Sequence, residues 1–310
     1  MARWLDHRLP AVNQIQLDRR NIFIFPTGSG LLFLAATLLI FVTAINYVLS
    51  LAFALAFLMT SLFILGILYT FRNLQHLSLR GLGAEAVFAG EDAAFVVGLE
   101  AQDSRGHEML ELAFPLAAGT RTDVEGGEAQ RVLVYLPTHR RGELRAPRLR
   151  IQTRFPLGLW RAWSIIDLAM SCVVYPAPRA CVLPGYTGQG SFGSAQGRQA
   201  GMEDFQRLRA WQTGDSLKQV AWKSFARGQG LTVKQFVETV EDRWMLDWDM
   251  FPGLASEERL SCLCYWVLEF SRLSLDYGLR LPGVEITPGR GEIHRRQVLR
   301  SLALWQEERT

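Results

Sequence analysis

The residues best suited to chemistry lie between Gly201 and Phe236, a stretch that we term the signature segment, where charged side chains of both signs alternate with aromatic ones. Inside it, Gly214-Asp215-Ser216-Leu217 spells a block in which serine hydrolases can carry their nucleophile. A serine becomes nucleophilic when a base lies within hydrogen-bond reach of its hydroxyl. The nearest candidate base is His294, which is not part of an Asp-x-x-His sequence. The block is therefore interpreted as a turn, and a hydrolase that uses it is the alternative hypothesis.

Asp247 and Asp249 end a buried strand that is predicted from Arg243 onward. Hard divalent cations prefer clustered oxygen ligands, so this pair of carboxylates is a candidate metal site. The metal site of a von Willebrand factor A-like domain would need Asp-x-Ser-x-Ser here, and this chain offers neither serine. A structural role is favoured and no cofactor is predicted. A divalent-cation-binding A-like domain is the alternative.

The basic residues of the signature segment are candidates for binding phosphate or nucleic acid. They are Arg207, Arg209, Lys218, Lys223, Arg227 and Lys234. They alternate with Glu203, Asp204 and Asp215, which favours internal ion pairs of defined geometry. Trp211 and Trp222 can stack on arginine side chains and stiffen the segment. Because the formal net charge of the chain is only +3, we interpret the segment as a protein-docking surface and predict no nucleic-acid partner.

A charge-free stretch from Gly28 to Phe71 determines where this segment works. It is about twice as long as one helix needs to be to cross a hydrocarbon core of about 30 Å. Asn46-Tyr47 is the polar break near its middle. The sequence therefore predicts two transmembrane helices, roughly Gly30–Ile45 and Val48–Tyr69, joined by a very short turn. A helical hairpin buried in a large soluble core is the alternative.

Arginines flank both outer ends of this predicted hairpin. Arg19 and Arg20 precede the first span, Arg72 and Arg80 follow the second, and the turn between the spans has none. Positively charged flanks stay on the cytoplasmic side of a membrane. The sequence therefore predicts that both termini and the soluble domains are cytoplasmic, with the lipid bilayer as one partner.

The composition divides the chain into five predicted regions. They are residues 1–27, a cytoplasmic N-terminal segment; 28–71, the transmembrane hairpin; 72–180, an antiparallel β-sandwich; 181–200, a Gly/Ser/Gln-rich linker; and 201–310, the signature segment with a small α/β unit. The sandwich follows from short alternating strands separated by turns. In the last region a buried strand, a helix from Ser256, two short strands and a helix from about His294 give a β-α-β-β-α order. The linker contains Gly188-x-Gly190-x-x-Gly193, but no βαβ unit surrounds it, so no nucleotide is predicted.

The four cysteines contain no CxxC and have no histidine nearby at metal-ligand spacing; they are Cys172, Cys181, Cys262 and Cys264. Cys262 and Cys264 are two apart on a predicted helix and therefore point to different faces. A reduced, structural role is favoured, which agrees with a cytoplasmic location. A zinc site or a disulfide is the alternative.

The signature segment also resembles the signature of the bacterial domain-of-unknown-function-58 family. The matching residues are Gly201, Glu203, Phe205, Leu208, Arg209, Trp211, Gly214, Asp215, Trp222, Lys223, Ala226, Arg227, Leu231, Val233 and Lys234. The two spans, Phe155-Pro156-Leu157-Gly158-Leu159, Val174-Tyr175-Pro176 and Leu281-Pro282-Gly283 also follow in the family's order. The resemblance thus covers most of the chain.

The resemblance implies a bacterial inner-membrane protein whose C-terminal unit is similar to a von Willebrand factor A-like domain. Family members are commonly associated with MoxR-type AAA+ ATPases, so the implied function is a non-enzymatic protein-interaction platform in protein-complex assembly. The implied partners are a MoxR-type AAA+ ATPase and other membrane or A-domain proteins. The implied docking residues are Gly201, Glu203, Phe205, Leu208, Arg209, Gly214, Asp215, Trp222, Lys223 and Arg227.

This chain departs from the family pattern at two positions and in its length. Ala221 stands where a polar or acidic residue is frequent, and Phe225 where a small hydroxyl residue is frequent. The chain after Leu281 is short for an A-like domain, so the α/β unit is predicted to be truncated. These departures argue against metal-dependent adhesion.

Overall fold

A computed structural model describes residues 13–184, 203–210, 232–238 and 243–306. The chain divides into two units, one ending at Ala177 and the other beginning at Pro178. Most of the predicted linker and much of the signature segment lie outside the described residues. Each unit is described by itself below.

Two long helices form the hairpin that the charge-free stretch predicts, and they are α1 (Gly28–Tyr47) and α2 (Ser50–Arg72). Thr27 caps α1, because its side-chain oxygen accepts a hydrogen bond from the amide of Gly30. Val48 takes a left-handed conformation and ends that helix. Both helices are long and apolar enough to cross a membrane. The prediction of two candidate spans is confirmed.

The buried residues of the two helices are small, and phenylalanines stack between the helices. The buried residues are Gly30, Thr37 and Ala44 on α1 and Ala56, Gly66 and Thr70 on α2. Small residues let helix backbones approach closely where lipid supplies no hydrophobic drive for association. Phe33 stacks on Phe63 at a ring-centroid distance of 6.2 Å. Most other large side chains of the pair are exposed, which suits a surface that faces lipid tails.

The rest of the first unit is a set of short strands. They are β1 (Gln14–Gln16), β2 (Phe23–Pro26), β3 (Leu77–Ala84), β4 (Val87–Phe88), β5 (Asp92–Ala101), β6 (His107–Ala113), β7 (Thr120–Val124), β8 (Ala129–Pro137), β9 (Gly142–Arg145), β10 (Leu149–Thr153), β11 (Trp160–Ile166) and β12 (Ser171–Tyr175). The first sheet has the order β1-β3-β5-β8, the second β2-β11-β10-β6-β7, and a small third one β4-β12-β9. All pairs are antiparallel except β4 with β12.

The two larger sheets share one hydrophobic core. Phe95 and Val97 of the first sheet join Leu112 and Ile151 of the second in a single buried cluster. The pattern along β5 alternates between buried and less buried residues, as a strand with one face toward a core requires. Burying a side chain such as that of Phe95 contributes about 1.5–3 kcal/mol. The antiparallel sheets that the sequence predicts are present.

Strands β1 and β2 precede the hairpin, and the sequence analysis missed both. β1 pairs with β3 in the first sheet, with Gln14 opposite Arg80. β2 pairs with β11 at the edge of the second sheet, with Phe23 opposite Trp163. The N-terminal segment therefore contributes a strand to each layer of the sandwich before the chain enters α1.

The turn Arg154–Leu159 between β10 and β11, which we term the anchoring turn, attaches the sandwich to the hairpin. The hydroxyl of Thr27 donates to the carbonyl of Gly158 at 2.6 Å, and that of Thr70 donates to the carbonyl of Phe155 at 2.8 Å. Just after the turn, the indole of Trp160 donates to the carbonyl of Phe63 at 2.9 Å. The sandwich is thus bonded to both helices.

The second unit contains a two-stranded ribbon and a small α/β arrangement. Its elements are β13 (Glu203–Ala210), β14 (Thr232–Glu238), β15 (Arg243–Asp247), a 3-10 helix (Trp248–Met250), α3 (Ser256–Arg272), β16 (Asp276–Leu281), β17 (Val284–Gly289) and α4 (Glu292–Leu304). β15 is parallel to β16, and β16 is antiparallel to β17. From β15 onward the elements follow the predicted β-α-β-β-α order.

Gly30→Ala is expected to destabilise the first unit, because a Cβ at Gly30 would overlap the carbonyl of Leu159 in the anchoring turn. Overpacking of this kind costs about 1–3 kcal/mol. Gly28→Ala is the matched control, since a Cβ at Gly28 meets nothing within 4 Å. Thermal unfolding of both variants in the same detergent measures the difference. Equal melting temperatures would contradict the close contact.

Candidate functional site

The ribbon of β13 and β14 carries four of the predicted docking residues, namely Glu203, Phe205, Leu208 and Arg209. In the register of this antiparallel pair, Arg209 is opposite Val233 and Leu208 is opposite Lys234. The register shifts between Phe205 and Arg207, and such irregularities bend a strand and increase its twist. At its far end Ala210 pairs with Thr232. The chain therefore leaves and re-enters the ribbon at one end, and residues 211–231 connect the two strands there.

The other predicted docking residues lie outside the described residues. They are Gly201, Gly214, Asp215, Trp222, Lys223 and Arg227. Ser216, the candidate nucleophile of the hydrolase hypothesis, lies outside them as well. Their placement on a docking surface stays a prediction.

Asp247, one of the two candidate metal ligands, already has two protein partners. Its Oδ1 accepts a hydrogen bond from the amide of Asp249 at 3.0 Å and caps the 3-10 helix. Its Oδ2 lies 3.3 Å from one guanidinium nitrogen of Arg280. The other terminal nitrogen of that guanidinium lies 3.1 Å from Glu285. Glu285 and then Asp247 raise the pKa of Arg280. This carboxylate therefore serves as a cap and an ion-pair partner in the described structure.

No group of three or more His, Cys, Asp or Glu side chains that could hold a metal ion occurs within the described part of the chain. Asp249 is the residue whose amide Asp247 caps. Among the described residues, Asp247 and Asp249 therefore have no third side chain of these types with which to form a metal site.

His294, the candidate base, is held against the core of the second unit. Its Nε2 lies 2.6 Å from the carbonyl oxygen of Tyr277, and because a carbonyl only accepts, this nitrogen carries the proton. The imidazole also packs edge-on against the Tyr277 ring at 5.0 Å. Tyr277 is fully buried, its hydroxyl lies 2.6 Å from that of Ser271, and burial raises its pKa. His294 therefore ties α4 to β16, and its Nε2 is committed to that bond.

Sequence reasoning missed a polar cluster where α2 meets the sandwich. The side-chain amide of Asn73 donates to the carbonyl of Glu108 at 2.7 Å, and its oxygen accepts from the amide of Glu108 at 2.9 Å. It also donates to the hydroxyl of Thr153 at 2.9 Å. The imidazole Nδ1 of buried His107 bonds the carbonyl of Asn73 at 2.8 Å. A single asparagine after a span gives no sequence signal for contacts this far along the chain.

A groove of about 550 Å³ lies beside this cluster, and two of its charged lining residues form an ion pair. Glu111 faces Arg121 at 3.7 Å. The carboxylate of Asp123 accepts a hydrogen bond from the amide of Met109 at 2.6 Å. These contacts support the strands that line the groove and leave no nucleophile–base pair among these lining residues.

The prediction of reduced cysteines is wrong for one pair, because Cys181 and Cys262 form a disulfide across 81 positions of sequence. Their Cα atoms are 5.5 Å apart, the usual separation for such a bond. Cys181 follows the sandwich in a segment that lies along α3, so no spacing rule could find its partner. Cys172 and Cys264 are buried and form no disulfide, which agrees with the reduced state predicted for them.

The same segment is held on α3 by further contacts. The indole of Trp266 donates to the carbonyl of Cys181 at 2.9 Å. The amide of Arg179 donates to the carbonyl of Ser261 at 3.1 Å, and its guanidinium pairs with Glu258. The disulfide therefore closes an arrangement that hydrogen bonds and an ion pair also support.

No family model, curated protein or solved structure matches this chain in the comparisons with known proteins.

Reduction of the Cys181–Cys262 bond is expected to lower the free energy of unfolding of the second unit by about 2–4 kcal/mol, since a disulfide restricts the unfolded chain. Thermal unfolding of the full chain with and without dithiothreitol measures the effect. A Cys181→Ser, Cys262→Ser variant is the control, in which dithiothreitol should change nothing. An equal response of both proteins to the reductant would show that the disulfide is not its target.

The free energy of unfolding of the second unit is also expected to fall at high pH, because the buried thiol of Cys264 resists ionisation. Burial raises the pKa of this thiol to about 12, above its ordinary value. A raised pKa favours the folded state while the thiol is neutral, and this contribution disappears as the pH rises from about 9 toward 12. Over this pH window the free energy of unfolding of the parent should therefore fall more steeply with pH than that of Cys264→Ala. Parallel pH profiles for the two proteins would contradict the role of burial.

Proposed function

We propose that this protein is a non-enzymatic inner-membrane protein that presents a cytoplasmic protein-interaction platform. In this proposal α1 and α2 span the bilayer, and the two extramembrane units stand on one side of it. The observation that carries the proposal is the direct attachment of the sandwich to the hairpin through the anchoring turn. The attachment holds the sandwich rigidly on the hairpin, and groups that are held rigidly lose less entropy when a partner binds.

The attachment involves both helices at their extramembrane ends. Thr27 and Gly30 at the start of α1 contact the turn, and Thr70 in the last turn of α2 contacts it as well. Asn73 then fixes the exit from α2 to β6 through Glu108. Because the sandwich is bonded to the start of the first helix and to the end of the second, it has little freedom to rotate relative to the hairpin.

The ribbon of β13 and β14 supports a docking role for the second unit. Its strands carry Glu203 and Arg209 of the signature, and among the described strands the ribbon pairs with no third one. Open strand edges offer backbone donors and acceptors to a partner. The signature and this ribbon together make the segment the most suitable docking surface on the second unit.

The resemblance to the domain-of-unknown-function-58 family supplies the partner in this proposal, a MoxR-type AAA+ ATPase that acts in protein-complex assembly. Other membrane or A-domain proteins would join the same assembly. The β15-α3-β16-β17-α4 arrangement would be the truncated A-like unit of such a protein. A cytoplasmic orientation would place the docking surface in the compartment where nucleotide is available to an ATPase.

Co-purification tests the proposal. The full chain, solubilised from membranes, is expected to retain a MoxR-type AAA+ ATPase, and Arg209→Ala, Asp215→Ala is expected to lose most of it. The physical reason is the loss of two charges of opposite sign from the docking surface, since charge complementarity governs partner choice. The retained ATPase is measured by quantitative immunoblotting.

Arg131→Ala, Asp92→Ala is the matched control, because it removes the same two residue types from exposed positions of the sandwich. It should retain the ATPase as the parent does. Unchanged recovery with the Arg209, Asp215 variant, shown by its melting temperature to be folded, would remove the docking role. Equal loss with both variants would point to non-specific charge attraction and would also reject it.

A further inference from the structure

The anchoring turn lies at a definite depth along the hairpin. A hydrocarbon core of about 30 Å corresponds to about 20 helical residues at about 1.5 Å each. Counted from the connection between the helices, 20 residues of α1 reach back to Gly28 and 20 residues of α2 reach forward to Tyr69. Thr70 and Gly30, which contact the anchoring turn, are next to these two positions. The turn therefore lies at the hydrocarbon boundary of a bilayer that the hairpin spans.

Trp160 reaches deeper than the turn itself. Its indole nitrogen bonds the carbonyl of Phe63 at 2.9 Å, and its ring packs on that of Phe63 at 4.7 Å. Phe63 is six residues before Tyr69 in α2, which is about 9 Å beneath the boundary. A Cβ added at Gly66 would lie 3.1 Å from the Trp160 ring, so the helix is shaped to admit it.

Backbone polar groups of the anchoring turn are satisfied by the hairpin. The hydroxyls of Thr27 and Ser29 donate to the carbonyl of Gly158, and the amide of Thr27 donates to that of Leu159 at 2.9 Å. Thr70 satisfies the carbonyl of Phe155. Non-helical backbone is tolerated at membrane depth where protein groups replace water as partners. These bonds meet that condition for three carbonyl acceptors of the turn, those of Phe155, Gly158 and Leu159.

The neighbouring edge of the second sheet carries aromatic side chains on its outer face. Phe23 and Phe25 of β2 are 49% and 57% exposed, while Ile24 between them packs on the core. Phe23 stacks on Trp163 of β11 at 5.0 Å. An outer face of a sheet in water is normally polar. β2 runs directly into Thr27 and α1, so this aromatic face is continuous with the surface of the span.

From these observations we propose that the anchoring turn and the aromatic edge of β2 and β11 are a third membrane-contacting element, immersed in the boundary layer of the bilayer. Leu157, at the tip of the turn and 53% exposed, contacts acyl chains there. Exposed Arg19, Arg20 and Arg154 lie in the adjoining sequence and contact lipid phosphate, as basic side chains beside a span do. Aromatic residues concentrate at this level of a membrane.

Lipid, rather than a protein partner, is the occupant for two reasons. The aromatic edge continues the surface of a hairpin that is itself apolar enough to be surrounded by lipid. Trp160 is also bonded to a carbonyl within the span, so the turn cannot leave the membrane while the hairpin stays in it. The inference rests on the membrane insertion contained in the proposed function.

Site-directed fluorescence measures the contact. Leu157→Cys and Phe25→Cys variants of the full chain are labelled with an environment-sensitive dye without reductant, so that the bonded Cys181 and Cys262 do not react. The labelled proteins are reconstituted into phosphatidylcholine–phosphatidylglycerol vesicles with or without bromine on the acyl chains. Brominated chains are expected to quench both labels. Labelled parent protein gives the background from buried Cys172 and Cys264.

Leu116→Cys and Tyr135→Cys are the matched controls, because they are an exposed leucine in a turn and an exposed aromatic residue on a strand of the same sandwich. Neither label should be quenched. Leu58→Cys, exposed in the middle of α2, reports insertion of the hairpin itself. Quenching at position 58 without quenching at 157 and 25 would overturn this inference alone. No quenching at any of the three positions would overturn the membrane insertion and the inference together.

Discussion

The first unit is governed by one constraint: the strands on either side of the hairpin belong to different sheets. β2 ends at Pro26 and is in the second sheet, whereas β3 begins at Leu77 and is in the first. Packed sheets are about 10 Å apart, and packed helices have axes about 8–10 Å apart. The two separations match. Each helix can therefore continue a strand of one sheet without changing the distance between the sheets or between the helices. The close helix pair and the sandwich therefore depend on each other.

Small residues on the helices mark the places where the hairpin is closely packed. Gly30 and Gly66 are the positions where the anchoring turn and Trp160 press on the helices, and Ala44 and Ala56 are where the helices meet farther along. A larger residue at Gly30 or Gly66 would displace the anchoring turn or Trp160 from the hairpin, and one at Ala44 or Ala56 would press on the facing helix. The constraint also makes the hairpin an insertion within the sandwich, since β1 and β2 come before it and the remaining strands after it.

The parts of this fold that the sequence predicts are those with a local cause. A charge-free run predicts the two spans without any knowledge of their partners, and Ser256 followed by acidic residues marks the start of α3. β1 and β2 have three and four residues, too few for an alternation to be recognised. Their strand character comes from pairing partners far along the chain, as Gln14 with Arg80 demonstrates. Sequence spacing carries no information on such contacts.

The candidate site divides in the same way. The resemblance of the signature predicts the docking residues, and four of them, Glu203, Phe205, Leu208 and Arg209, fall on one strand of a ribbon. The ion pair of Asp247 with Arg280 and the bond of His294 to Tyr277 were not predictable, because both depend on how β16 is placed beside β15 and α4. These two contacts give the isolated motifs a structural role, since Asp247 pairs with Arg280 and Nε2 of His294 donates to a backbone carbonyl.

The arginines and the disulfide give opposite indications of the side of the membrane on which the units lie. Arg19, Arg20 and Arg72 favour the cytoplasm, whereas structural disulfides persist in oxidising compartments. The segment around Cys181 is held on α3 by Trp266 and by the Arg179–Glu258 pair as well. These contacts do not involve the sulfur atoms, so the disulfide alone does not decide on which side of the membrane the second unit lies.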